Sequence, residues 1–139
     1  MKRSPEWYAQ YAAKLRARND PKRWGDNIEP AALLESEVLP AVLKTLQFHP
    51  RVAWAYRFNV GGMEIDGRHV HFAFKGCADI LGQMKDGRFL AVECKRPGKR
   101  ATSDQAAFLA QVNRNGGVGF VATGVDDVLR ELNPAKEAA

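Results

Sequence analysis

Gly76-Cys77-Ala78-Asp79-Ile80-Leu81-Gly82-Gln83-Met84 and Arg88-Phe89-Leu90-Ala91-Val92-Glu93-Cys94-Lys95 flank the short polar stretch Lys85-Asp86-Gly87. Two apolar-rich runs around such a stretch read as a β-hairpin. A three-residue loop with a left-handed glycine, a type I turn followed by a glycine bulge, pairs Met84 with Arg88. Asp79 then stands directly opposite Glu93 on one face of the sheet, with Cβ atoms about 4.5–5.5 Å apart. Lys95, two residues after Glu93, shares that face. A two-residue Asp86-Gly87 loop would instead send the two carboxylates to opposite faces.

Two directly opposed carboxylates repel each other and raise at least one pKa unless a cation lies between them. A hard divalent ion resolves the conflict, and Mg²⁺ is commonly held by one or two carboxylates together with substrate phosphates. A lysine beside the pair can stabilise negative charge developing on phosphorus or help deprotonate a water. A solvent-exposed hairpin laced by cross-strand ion pairs is the plainer alternative. It accounts poorly for Glu93 and Lys95, because same-strand neighbours two apart gain little. The flanking Ile80-Leu81 and Leu90-Ala91-Val92 are apolar, which predicts a central hairpin.

Outward from the hairpin, the chain reads as alternating elements. Ser4 to Arg18 is expected to be a helix, with Ser4 as N-cap and Pro5 in the first turn, stopped by Asn19-Asp20-Pro21. Glu29 to Phe48 carries Leu34, Val38, Val42 and Leu46 at helical spacing; Pro40 inside it is expected to kink the helix or end its first part. Val52 to Val60 alternates as a strand, and Gly61-Gly62 is expected to break it. Met63 to Phe74 is irregular, with a possible strand at His69–Phe72. Thr102-Ser103-Asp104-Gln105 is a capping box opening a helix that carries Phe108, Leu109 and Val112 and ends at Gly116-Gly117. Val118 to Thr123 is an apolar strand and Val125 to Leu132 a last short helix. This order indicates one α/β domain with a mixed sheet.

The 139 residues suit a single domain. Hydrophobic residues are 45% and charged ones 27%, the balance of a folding chain rather than a disordered one. No run approaches the roughly 20 apolar residues that span a bilayer, and the start, Met1 to Trp7, lacks the apolar core of a secretory signal. Cys77 and Cys94 are too few for a disulfide framework and lack metal-ligand spacing; they are expected to be buried small hydrophobes in a reducing cytoplasm. Residues 1–25 hold seven basic and two acidic side chains, which accounts for the whole net charge of +5. Such a segment suits an anionic partner, nucleic acid above all, or is simply a solvated helix face. The aromatic residues Trp7, Tyr8 and Tyr11 in it could stack on bases, or pack onto the domain or a second subunit.

Asp, a hairpin, then Glu-x-Lys resembles the core of the PD-(D/E)XK nucleases, and more finely their virus-type replication–repair (VRR-NUC) branch. The resemblance runs over residues 31–132 and rests on order and spacing. It comprises Glu35 opening a helix with Val38, Val42, Leu43 and Leu46; Arg57-Phe58-Asn59-Val60-Gly61 at a strand end; Lys75-Gly76-Cys77-Ala78-Asp79; Glu93-Cys94-Lys95; and Thr102 three before Gln105. The chain departs from the family pattern at Ala78, where the family name has Pro, at Leu39, where a Gln is frequent, and at Pro40.

The resemblance implies a restriction-endonuclease-like α/β/α core with a central mixed β-sheet, here residues 27–133, after a basic helical extension over 1–26 and before a loose tail over 134–139. It implies that Asp79, Glu93 and the Cys94 backbone carbonyl bind Mg²⁺, with Mn²⁺ substituting, and that Glu35 reaches in directly or through water. Glu37 competes for that last role. Lys95 would position or activate the attacking water. Gln105 would lie near Lys95, and its capping role with Thr102 is compatible with that. Arg57, Asn59 and Lys75, with Arg96, Lys99 and Arg100 of the basic loop, are the expected DNA contacts; His69 and His71 are either phosphate contacts or exposed loop residues. The implied activity is Mg-dependent, structure-specific endonuclease cleavage of branched DNA, Holliday junctions in particular, by a homodimer without an organic cofactor, in a bacterial or phage-infected cytoplasm. A flap or nick nuclease, a nuclease subunit of a larger system, and an inactive DNA-binding module are the alternatives.

Overall fold

In the computed structural model, which describes residues 34–58 and 61–133 together with Glu6 and Gln10, the hairpin is the middle of a four-stranded sheet. The elements are α1 (Glu35–Phe48), β1 (Val52–Arg57), β2 (Gly61–Ile65), β3 (Arg68–Phe72), β4 (Ile80–Met84), β5 (Phe89–Cys94), α2 (Ser103–Arg114), β6 (Val118–Ala122) and α3 (Val125–Glu131). The sheet runs β1-β4-β5-β6. Its first two pairings are antiparallel and β5–β6 is parallel. The described chain is therefore a mixed α/β unit.

The turn sets the register. Met84 N–H donates to Arg88 O at 2.8 Å and Gly87 N–H to Met84 O at 3.0 Å, which closes a loop of Lys85, Asp86 and Gly87. Gly87 takes a φ of +95°, the left-handed conformation that only glycine adopts cheaply. Ile80 then pairs with Val92 and Leu81 with Ala91. Alternation sends Ile80, Leu90 and Val92 to one face and Leu81, Ala91 and Glu93 to the other. The first face packs with Val38, Leu39, Val42 and Leu46 of α1 and Val128 and Leu132 at α3 in the main core. The second face packs Ala91 with Ala78 and with Leu109 and Val112 of α2. Helices thus lie on both sides of the sheet.

The structure departs from the sequence reading at three places. Helix α1 continues through Pro40 to Phe48, so of the two outcomes expected there, a kink or an end, the end does not occur. Pro40 removes only the bond to Ser36, whose residue is exposed and open to water, while Val38, Leu39, Val42 and Leu46 hold the helix on the sheet. Gly61-Gly62 opens β2, where an irregular stretch is expected from Met63, and β2 forms a separate antiparallel ribbon with β3 around Asp66-Gly67. Both turn residues have positive φ, +50° and +73°, the left-handed pair of a tight two-residue hairpin. The third departure is β1, which ends at Arg57 rather than Val60; within it small Ala55 is buried while Trp54 and Tyr56 face out.

Close packing explains β1. Ala55 pairs with Gly82, and the Gln47 carboxamide of α1 donates to Ala55 O at 3.0 Å, so helix and sheet approach through small residues. Of the expected N-terminal helix, Glu6 and Gln10 are helical. The rest of the 1–26 extension, the chain up to 33, Asn59, and the 134–139 tail lie outside the described residues. Among the described residues no helix is long and apolar enough to cross a membrane.

The Gly82 contact yields a stability prediction. A Cβ on Gly82 would lie 2.4 Å from Trp54 O and 3.2 Å from Ala55 Cα, both backbone atoms that cannot move without parting β1 from β4. Gly82→Ala is expected to cost about 2–3 kcal/mol by urea unfolding. Gly87→Ala, strained in φ but in open space, is expected to cost about 1 kcal/mol. Equal costs for the two would refute the close β1–β4 approach.

Candidate active site

Glu93 is fixed by its strand. β5 lies between β4 and β6, its residues from Leu90 to Cys94 are buried under the helix layers, and Glu93 is 1% exposed. It projects to the α2 side, where the first turn of that helix meets it. Thr102 caps α2 by accepting from Gln105 N–H, and Gln105 Oε1 accepts from Thr102 N–H at 2.9 Å. A backbone N–H can only donate, so the amide atom facing it must be oxygen; Nε2 is left to face the sheet. Nε2 donates to Glu93 Oε1 at 2.7 Å. One side chain thus closes the helix cap and holds the carboxylate. Lys95 Nζ stands 3.4 Å from the same Oε1, its side chain 13% exposed.

Asp79 completes the group. The β4–β5 register extended by one pair sets it opposite Glu93, and Phe58 N–H donates to Asp79 O at 2.7 Å, prolonging the β1–β4 ladder past it. Cys94 N–H donates to Asp79 Oδ2 at 2.9 Å, turning that carboxylate toward the end of β5. The preceding loop is pinned to α2. Gly76 has a φ of +85° and passes so close to α2 that a Cβ would sit 2.5 Å from Asp104 O. Phe74 packs edge-on against Phe108 with ring centroids 4.9 Å apart.

The electrostatics are unbalanced. Burial first, and the facing Asp79 second, raise the Glu93 carboxyl to about 7, against a smaller opposing pull from Lys95. Glu93 Oε2 is buried and has no hydrogen-bond donor, the only such side-chain atom among the described residues. A buried acceptor left unpaired costs roughly 1–3 kcal/mol. Two carboxylates offer each other no donor, so only a shared proton or a cation satisfies the pair. The residues therefore fit a divalent metal held by Asp79, Glu93 and the Cys94 carbonyl at the strand end. Among the described residues no three His, Cys, Asp or Glu side chains converge as a metal cluster.

Glu35 nevertheless lies at this end of the sheet. A cleft of about 510 Å³ is lined by Leu34, Glu35 and Ser36 at the start of α1 and by Lys95, Arg96, Lys99 and Arg100. Glu35 is among the charges that push the buried Cys94 thiol up, after burial, Asp79 and Glu93. Glu37 is committed elsewhere, its Oε2 accepting from Leu34 N–H at 2.9 Å at the helix start. Of the two helix acids, Glu35 is the one facing the basic loop.

The remaining expected site residues scatter. Arg57 pairs with Ile80, on the sheet face opposite to Asp79 and Glu93, so the register does not bring it to the carboxylates. Lys75 is exposed and pairs with Asp104 at 3.4 Å. Asn59 lies outside the described residues. His69 pairs with Glu64 and His71 with Gly62 in the β2–β3 ribbon, a sheet separate from that of the carboxylates. Cys77 and Cys94 are free and buried, with thiols raised chiefly by burial, the opposite of a reactive thiolate.

The raised Glu93 pKa fixes a pH dependence. Between about pH 4.5 and 7 the folded protein keeps a proton that the unfolded chain releases, so stability falls as pH rises through this window. In EDTA, Glu93→Gln is expected to remove that fall and to stabilise the protein at pH 8 by about 1–3 kcal/mol relative to its effect at pH 4. Urea unfolding of both proteins at the two pH values measures it. The same pH slope in variant and wild type would clear Glu93 as the source.

Comparison of the chain with protein-family models, with curated proteins and with solved structures finds no match.

Proposed function

We propose that this protein is a metal-dependent endodeoxyribonuclease with a restriction-endonuclease-like core. We further propose that it hydrolyses phosphodiester bonds in branched DNA such as four-way junctions, and that it does so as a homodimer. The observation that carries the reading is the Asp79–Glu93 pair with its donorless, buried Glu93 Oε2, while Lys95 stands beside the other oxygen, Oε1. A structural ion pair would leave no such orphan. The order of Glu35, Asp79, Glu93, Lys95 and Gln105, resembling the VRR-NUC pattern, supports it, as does the sheet with helices on both faces.

Each residue then has a task. Asp79 and Glu93 supply the negative pair and Cys94 the carbonyl; Mg²⁺ or Mn²⁺ bound there supplies Lewis-acid polarisation of the phosphate and charge neutralisation. Gln105 holds Glu93 Oε1, so that Oε2 stays turned away from the cap and available. Lys95, poised beside Glu93, orients a water for in-line attack or offsets the charge that grows on the phosphate oxygens. Arg96, Lys99 and Arg100 line the cleft wall and can take the flanking phosphates, while Glu35 faces them and orients water at the cleft floor. A symmetric junction has two equivalent scissile strands, which is the reason to propose two sites in a dimer.

Two substitutions separate the roles. Glu93→Gln is expected to lower metal affinity and cleavage together, with excess Mn²⁺ restoring part of the activity. Lys95→Ala is expected to keep metal binding by calorimetry while cleavage of a labelled four-way junction falls by about 10²–10³. DNA binding in Ca²⁺ should survive in the lysine variant, because phosphate contacts are spread over many basic groups. Cleavage at the wild-type rate by Lys95→Ala would make Lys95 a bystander and overturn the motif assignment, whereas no metal-dependent cleavage of plasmid, flap or junction by the wild type would end the nuclease reading.

A further inference from the structure

Trp54, Tyr56 and Phe58 occupy every second position of β1 and its end, and they are 41%, 65% and 42% exposed. In the sequence this stripe reads only as strand alternation. The register shows where it points. Trp54 pairs with Gln83 and Tyr56 with Leu81, both on the face that carries Asp79 and Glu93. The next step along the ladder is Phe58, whose N–H bonds Asp79 O. Among the described residues, the helix on this face, α2, packs against β5 and β6, and the aromatic side chains of edge strand β1 stay exposed. The rings are not loose. Trp54 Nε1–H donates to Gln83 Oε1 at 3.0 Å, and the Trp54 and Tyr56 rings stand 5.8 Å apart with 30° between their planes.

Three aromatics on an open sheet face are costly to leave bare unless a partner covers them. The stripe leads to Asp79, at the end of the sheet where Lys95, Arg96, Lys99 and Arg100 form a positive rim. A flat aromatic row ending at a positive rim matches a strand of nucleic acid with its bases on the rings and its phosphates on the cations. Duplex DNA keeps its bases stacked inside and offers them no face. We infer that Trp54, Tyr56 and Phe58 are a stacking platform for unpaired bases beside the scissile phosphate. The preferred substrate is accordingly DNA with a single-stranded segment at the cleavage point, as in a flap or an opened junction. This inference rests on the nuclease reading and narrows its substrate.

The test is binding, in EDTA, so that metal and cleavage do not enter. Fluorescence anisotropy of labelled single-stranded and duplex DNA of equal length is measured for the wild type, Trp54→Thr/Tyr56→Thr and Tyr56→Phe. Single-strand affinity is expected to fall about tenfold for each ring removed. Duplex affinity should change less than about twofold, and the salt slope should be unchanged because no charge is lost. Tyr56→Phe keeps the ring and is expected to bind as wild type. Thermal unfolding checks the fold, and if the double variant does not fold, the single Tyr56→Thr change carries the comparison. Equal loss on both DNA forms, or no loss on either, overturns the platform and leaves the nuclease reading standing. A wild type that binds neither form also overturns the platform, and the nuclease reading is judged separately by the metal-dependent cleavage of plasmid, flap and junction. A double variant that turns from dimer to monomer in sedimentation assigns the stripe to a second copy of this chain and overturns the inference.

Discussion

A carboxylate has been placed in the central layer of a sheet, facing another carboxylate, without enough donors. Glu93 receives Gln105 on Oε1 and has Lys95 near the same atom, and Oε2 receives nothing. In apolar surroundings each missing partner costs stability that the fold must recover elsewhere. A protein that needed only a stable sheet would carry valine or leucine at this position, as Val92 and Leu90 do beside it. The surrounding architecture is intelligible as the means of holding this unfavourable group still. β4 and β6 flank it, α2 caps itself with the residue that clamps it, and the loop before Asp79 is drawn onto α2 at Gly76.

The clamp couples helix formation to site geometry. Gln105 cannot satisfy Glu93 without also closing the Thr102 cap, because one planar amide makes both bonds. The helix start and the carboxylate therefore hold one another in place. This arrangement uses a short polar side chain at a helix terminus, where it is favoured anyway, to orient a group in the sheet. On the opposite face the packing is conventional, with α1 and α3 covering Ile80, Leu90 and Val92. One face holds the main core and the other the carboxylate pair.

The edge strand shows the same division. Ala55 and Gly82 let α1 and the sheet close together, which leaves the bulky members of β1 to point away from the core. Hydrophobicity alone would bury Trp54 and Tyr56. The space between α1 and the sheet takes only small side chains there, and backbone pairing fixes the parity, so the aromatics stay outside.

Much of this was legible in the chain itself. Lys85-Asp86-Gly87 set the hairpin register, because a left-handed glycine closes a three-residue loop, and that register alone put Asp79 opposite Glu93. Thr102 and Gln105 announced the start of α2, and the four-residue spacing of Val38, Val42 and Leu46 announced α1. The β2–β3 ribbon was legible only at His69–Phe72, because β2 opens on Gly61-Gly62 and glycine has no side chain to declare a strand. Other features depend on which elements become neighbours, and local patterns do not carry that information. Only the tertiary structure decided that Gln105 reaches Glu93, that Glu35 rather than Glu37 faces the basic loop, that Arg57 lies on the far side of the sheet, and that the β1 aromatics are exposed. Local hydrogen bonding and turn stereochemistry are written into a few adjacent residues, whereas burial and charge pairing are settled by residues distant in sequence that packing brings together.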